Sequence, residues 1–263
     1  MFNPYEPLET RTRQAIGVCA VLAVVLVWSG LSMAVGDVKL PPPWDVASAF
    51  VRLCQPNEFQ DGQIPLVVAT LASTSRVLVA GVLVVVIGVP IGVVMGASPR
   101  LNSALSPLVD PFRSAPIVAV MPLLVLWMGI DESMKITFLF LGAVVFLIPM
   151  VRDAMQAVPR QYYISARDIG ATPVEAVWHA VLPMAMPRIA DAIIVAVSVM
   201  WTYITVAEFV NAEKGLGQLI QQAKRLAAMD QVMVGIFVII ILALLTYQLM
   251  TVAKKALFPW ETE

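Results

Sequence analysis

Arg76, Arg113 and Glu208 stand inside runs of apolar residues long enough to cross a lipid bilayer. An ionisable side chain is costly in hydrocarbon, so each of these must pair, meet water or serve a passing solute. Arg76 and Glu208 fall in the halves of their runs that the loop charges, considered below, place on the outside. Two readings stay open for them. Either Arg76 attracts an anionic solute, alone or with Glu208 in an outer gate of the translocation pathway, or the two form a structural ion pair buried between helices. Arg113 follows Asp110 at a spacing of three, which lets the pair bond on one helix face. Ser114, Pro116 and Pro122 beside it imply an irregular stretch that lines a pathway.

The residues that would make the chain a catalyst of its own are missing. No Gly-x-x-x-x-Gly-Lys-Ser/Thr loop is present to cradle phosphates. Gly81, Gly88, Gly92 and Gly96 are spaced along one apolar run, as close helix packing requires. Ser73, Thr74 and Ser75 have no histidine near them in sequence, and hydroxyls in membrane helices bond back to carbonyls. His179 is the sole histidine, and Cys19 and Cys54 lack metal-site spacing. The expectation is a non-catalytic subunit with no catalytic residue, no metal and no cofactor of its own. A net charge of -1 gives no support to a nucleic-acid partner.

The elements that position these charges follow from composition. Of 263 residues, 59% are hydrophobic and 13% charged, against about a quarter charged in a soluble domain. Such a chain needs membrane lipid as its solvent. Charge-poor runs predict an all-α integral membrane domain spanning 1–263, with six helices near 15–35, 66–96, 104–128, 134–152, 187–211 and 231–255. The first run follows Arg11 and Arg13 like a signal peptide, but it is too long and lacks an Ala-x-Ala-like end, so it reads as an uncleaved span. The excess of Lys and Arg in alternate short loops favours both termini in the cytoplasm. Residues 36–65 and 212–230 are then outside. Pro41-Pro42-Pro43 forces an extended stretch before a short helix from Asp45 to Leu53, anchored by Trp44. Residues 153–186 form a long inner loop.

That loop has the grammar of a helix, a sharp turn and a second helix. Gly170 suits the left-handed residue after a helix. Thr172, Pro173 and Glu175 read as N-cap, first helical position and capping-box partner. Leu182-Pro183 reads as the end of the second helix, with Pro187 just before the next span. The unit serves either as a rigid docking surface for a soluble partner or as a plain connection. From residues alone, a secondary transporter or channel working without an ATPase also stays open. A membrane enzyme is weakened by the single histidine.

Gly170, eleven residues and then Leu182-Pro183 resemble the EAA loop of ATP-binding-cassette (ABC) importer permeases. The family pattern is Glu-Ala-Ala, three residues, Gly, nine residues, Ile, one residue, Leu-Pro. Ala166, Gly170, Leu182 and Pro183 match it. Ile164 stands at the acidic position, Ser165 at the next and Ala180 at the Ile, so Arg167 or Asp168 would take over the polar contact. LPPPWDVASAF (40–50), RSAPIVAVMPLLVLWMGIDESMKI (113–136), SARDIGAT (165–172) and AEFVNAEKGLGQLI (207–220) are similar to segments of nitrate/sulfonate/taurine-type permeases, in the same order. The resemblance implies a type I ABC importer permease in the bacterial inner membrane. It implies a homodimer, two ABC ATPase subunits that bind ATP and Mg, and an extracytoplasmic binding protein delivering a small, usually anionic solute. By the same resemblance, residues 158–170 are the coupling helix, and Gly215-Leu216-Gly217, with residues 40–60, meet the binding protein.

Overall fold

The computed structural model describes residues 10–36, 39–56, 62–210 and 212–261. Residues 57–60 of the expected binding-protein segment lie outside them. The described residues form helices joined by turns: α1 (Thr10–Val35), α2 (Pro43–Leu53), α3 (Pro65–Ala97), α4 (Pro99–Val109), α5 (Met121–Met128), α6 (Glu132–Gln156), α7 (Arg160–Asp168), α8 (Pro173–Ala176), α9 (Leu182–Phe209), α10 (Leu216–Arg225) and α11 (Met229–Leu257). Contacts divide the chain into two units, residues 1–66 with 219–236 and residues 67–218 with 237–263.

In the first unit, α1 is exposed along most of its length, as a lipid-facing helix must be. The proline-rich turn after it is pinned back by Trp28 Nε1, which donates to the Pro41 carbonyl at 3.1 Å. Ser32 Oγ donates to the Leu40 carbonyl at 2.7 Å. Pro43 occupies the first position of α2, where its missing N–H costs nothing. Trp44, Phe50 and Val51 remain exposed on α2, while Arg52 pairs with Asp230.

In the second unit the core is α6, whose Phe138, Leu139, Ala143, Leu147 and Val151 are fully buried. The absent side chain of Gly142 lets the Tyr203 ring of α9 lie against the helix, and Phe138 meets that ring edge-on at 5.9 Å. On the other side Gly88, Gly92 and Gly96 of α3 face Leu147, Val151 and Met155 of α6. A Cβ at Gly92 would stand 2.6 Å from the Val151 Cβ and 2.8 Å from the Ile148 carbonyl oxygen. Neither neighbour is the free end of a flexible side chain. Gly92→Ala should therefore push the two helices apart and cost about 1–3 kcal/mol. Gly81→Ala, whose Cβ would meet only Val197 at 3.9 Å, should be tolerated. Thermal unfolding of the two variants in detergent checks the contrast.

Two expectations need correction. The single helix expected over 104–128 is a broken pair, bent by 92° between Pro99–Arg113 and Ile117–Met128. Hydropathy averages over the run, but Pro111, Pro116 and Pro122 each remove a backbone donor, and the backbone turns extended at Pro116, with φ -72° and ψ 91°. Short 3₁₀ turns at Asp110–Arg113 and Ile117–Val120 take up the bend. The second change is at Leu182-Pro183, which does not end a helix. Helix runs from Pro173 to Phe209, 37 residues. A π-helical stretch at Val177–Val181 precedes Pro183, with Leu182 N–H reaching back to the Val177 carbonyl. One wide turn relaxes the register where the proline would otherwise clash with the preceding carbonyl.

Candidate functional sites: a capped turn and a buried charge network

The turn between α7 and α8 is held by its own backbone. The Gly170 N–H donates to the Arg167 carbonyl at 3.0 Å and the Ala171 N–H to the Ala166 carbonyl at 3.1 Å. That is the Schellman pattern, and it places Gly170 at φ +96°, a conformation open to glycine. Arg167 Nη1 donates to the Ala171 carbonyl across the same turn. Thr172 then caps α8. Its N–H donates to Glu175 Oε2 at 2.7 Å, and its Oγ1 accepts from the Glu175 N–H at 3.3 Å, which closes the capping box. Ile164, Ser165, Arg167 and Asp168 of α7 are exposed, with Ala166 partly covered. Ile169, Val174 and Trp178 add exposed apolar surface. An open hollow of about 530 Å³ lies beside Ser165, Ile169, Glu175 and His179. Leu182 and Pro183 lie within the helix that follows.

Among the charges expected inside the spans, Arg76 and Glu208 do meet. Arg76 Nη1 donates to Glu208 Oε1 at 2.6 Å and to the Lys214 carbonyl at 2.8 Å. Glu208 is completely buried. Ser73 Oγ donates to its Oε1 at 2.7 Å, and the Gly217 N–H donates to its Oε2 at 2.7 Å. Ser73 Oγ also accepts from the Leu216 N–H at 2.9 Å. Gly215, Leu216 and Gly217 are thus buried against α3 and α9, rather than presented as an outer turn. A Cβ at Gly215 would fall 2.5 Å from the Glu208 carboxylate, so the glycines exist to let backbone approach a buried charge. Glu213 and Lys214 are the exposed residues of the segment.

Arg113 sits apart, exposed at the bend between α4 and α5. Asp110 does not pair with it. Arg152 Nη1 takes both Asp110 oxygens, at 2.9 and 3.0 Å, because the 3₁₀ turn swings the carboxylate toward α6.

The model for the family described as "Binding-protein-dependent transport system inner membrane component" matches residues 88–260. The taurine transport system permease protein of Escherichia coli is 31% identical over 260 residues, covering 98% of this chain and 93% of that protein. The chain belongs to this family. As a permease component it is a non-catalytic membrane subunit of a binding-protein-dependent ABC importer, which decides against a channel or secondary transporter. The bicarbonate transport system permease protein of Synechocystis is 25% identical over 264 residues, covering 98% of this chain and 94% of that protein. An inward-facing structure of the MetNI methionine ABC transporter aligns with a TM-score of 0.61 and 25% identity, over 74% of the permease and 95% of that chain. The permease has the all-α fold of these type I importers.

Sequence reasoning missed two members of the permease's charge network. Glu132 accepts from Arg76 Nε at 2.6 Å and from Arg76 Nη2 at 2.7 Å, and Lys135 Nζ donates to it at 3.0 Å. Lys135 is as buried as Arg76. The available signal was Glu132 and Lys135 at a spacing of three, one helical turn, at the very start of an apolar run.

Proposed function

We propose that the permease works as a homodimer in the lipid of the bacterial inner membrane, with both termini cytoplasmic and with two ABC ATPase subunits that hold ATP and Mg. A binding protein outside delivers a small anionic solute resembling a sulfonate, taurine, nitrate or bicarbonate. The likeness to taurine and bicarbonate permeases supports that class. The ATPase docks on α7 and the turn after it, at Ile164, Ser165, Ala166, Arg167, Asp168 and Gly170, with Leu182 and Pro183 completing the EAA pattern.

One observation carries the reading. A single unbroken helix runs from the capped turn at Pro173 to the buried Glu208 region at Phe209. At 1.5 Å per residue it is roughly 55 Å long, enough to cross the membrane with a turn or more standing outside it. A push on the docking turn therefore reaches the opposite end of the unit through continuous backbone. There the Arg76–Glu208–Glu132 network acts as the outer gate, an element with discrete closed and open states biased by nucleotide. Arg113, exposed at the bend of the third span, lines the pathway. Gly215, Leu216 and Gly217 form the base of the binding-protein contact, and the exposed Glu213 and Lys214 present it.

The test is to purify the tagged permease from its host in mild detergent and identify what accompanies it. An ABC ATPase subunit at a one-to-one ratio is the expected result. A chain that arrives alone and moves solute into vesicles without ATP would overturn the reading.

A further inference from the structure

The Arg76 guanidinium serves its two carboxylates in different ways. Glu208 is sealed, with Ser73, Arg76 and Gly217 all donating to it and no surface exposed. Glu132 is not sealed. Its side chain is 57% exposed, while the two cations that hold it, Arg76 and Lys135, are 5% and 3% exposed. Two buried cations thus converge on a carboxylate carried by a surface-facing side chain in the first turn of α6.

We propose that the Nε/Nη2 edge of Arg76, together with Lys135 Nζ, is an oxyanion site that Glu132 fills as a stand-in. The anionic headgroup of the transported solute takes that place when Glu132 swings out. This rests on the reading that the permease carries a small anionic solute. The edge donates two nearly parallel hydrogen bonds, at 2.6 and 2.7 Å, to the two oxygens of one carboxylate. Such a fork selects groups that present two oxygens on a single atom, as sulfonate, carboxylate, bicarbonate and nitrate do. A spherical chloride offers one acceptor centre and can take the two bonds only bent, hence more weakly.

Charge narrows the ligand further. With Glu132 in place, two cations (Arg76 and Lys135) face two carboxylates (Glu132 and Glu208). With Glu132 withdrawn, the two buried cations are left with one carboxylate between them, and the uncompensated positive charge is unfavourable. A singly charged headgroup restores the balance, and a dianion such as sulfate overshoots it. Arrival of the solute would then free the first turn of α6 from Arg76 of α3.

Chemical rescue tests the site. Glu132→Ala, prepared as the full chain with its co-purifying partners, is unfolded thermally in chloride, methanesulfonate, acetate and sulfate at matched ionic strength. The variant should melt below the unmodified permease in chloride and recover most of that loss, saturably, in methanesulfonate or acetate. The unmodified permease, whose own carboxylate fills the site, should not respond. Adding Lys135→Ala should weaken the rescue. If Glu132→Ala yields no folded protein in chloride, purification in methanesulfonate should restore it, and Glu132→Gln serves for the same titration. Equal behaviour in chloride and methanesulfonate, or no recovery in any anion, overturns the proposal. Binding-protein-dependent uptake of an anion without rescue in Glu132→Ala removes the site and keeps the transport reading. Rescue in a permease that imports only uncharged or cationic solutes removes the solute as occupant.

Discussion

Arg76→Ala should leave little folded permease, at a cost of about 3–5 kcal/mol, the usual result of removing one partner from a buried ion pair. The magnitude follows from what remains. Glu208 stays fully buried with its counter-charge gone. The Lys214 carbonyl loses its donor, and Glu132 keeps only Lys135. Arg76→Lys should recover only part of the loss. One ammonium cannot present a two-donor edge to Glu132 while also reaching Glu208 and the Lys214 carbonyl. The double variant Arg76→Met/Glu208→Gln should be milder than Arg76→Ala alone. It removes both charges, the Gln carbonyl still accepts from Ser73 or Gly217, and Glu132 keeps Lys135. That non-additivity separates a true pair from two independently important residues. Thermal melting of detergent-solubilised protein reads all three. An Arg76→Ala protein that melts with the unmodified permease would show that the network carries no structural load.

The Arg76–Glu208 pair could be read from sequence because both charges stand alone in long apolar runs, where hydrocarbon leaves few alternatives to pairing. Glu132 and Lys135 escaped notice because they sit at the first turn of a span, where a charge ordinarily faces water and needs no partner. The capped turn at Thr172–Glu175 was legible for a different reason. Its hydrogen bonds join residues three apart, so spacing alone specifies them. Gly215-Leu216-Gly217 looks like any exposed turn from its local sequence, and only the arrangement of α3 and α9 turns it into a lining for a buried carboxylate. Prolines misled in two ways. Across 104–128 they mark an irregular stretch, but hydropathy reads the run as one helix, and they bend it by 92°. At Leu182-Pro183 they signalled an end, yet one π-turn absorbs the strain and the helix continues. Whether a proline breaks or bulges a helix depends on what packs around the freed carbonyl, which sequence does not display.

Gly170→Val should uncouple the permease from its ATPase without unfolding it. Nothing lies within 4 Å of the position a Cβ would take, so the substitution meets no steric obstacle in this chain. The penalty is purely conformational. Gly170 sits at φ +96°, and a β-branched residue there is strained. A left-handed L-residue costs about 1–2 kcal/mol, which shifts the population of the docking-competent turn by roughly 5–30-fold. The membrane helices do not depend on that turn, so yield and melting temperature should stay close to those of the unmodified permease. What changes is the angle between α7 and α8, and with it the direction in which a push enters the long helix toward Glu208. ATP hydrolysis in the assembled complex should no longer respond to the loaded binding protein, and uptake should fall by the same 5–30-fold. Gly170→Asn, which tolerates the left-handed region better, should retain much of the coupling. If Gly170→Val transports at the normal rate, the geometry of this turn is not the transmission element, and the EAA-like residues on either side act through contact chemistry alone.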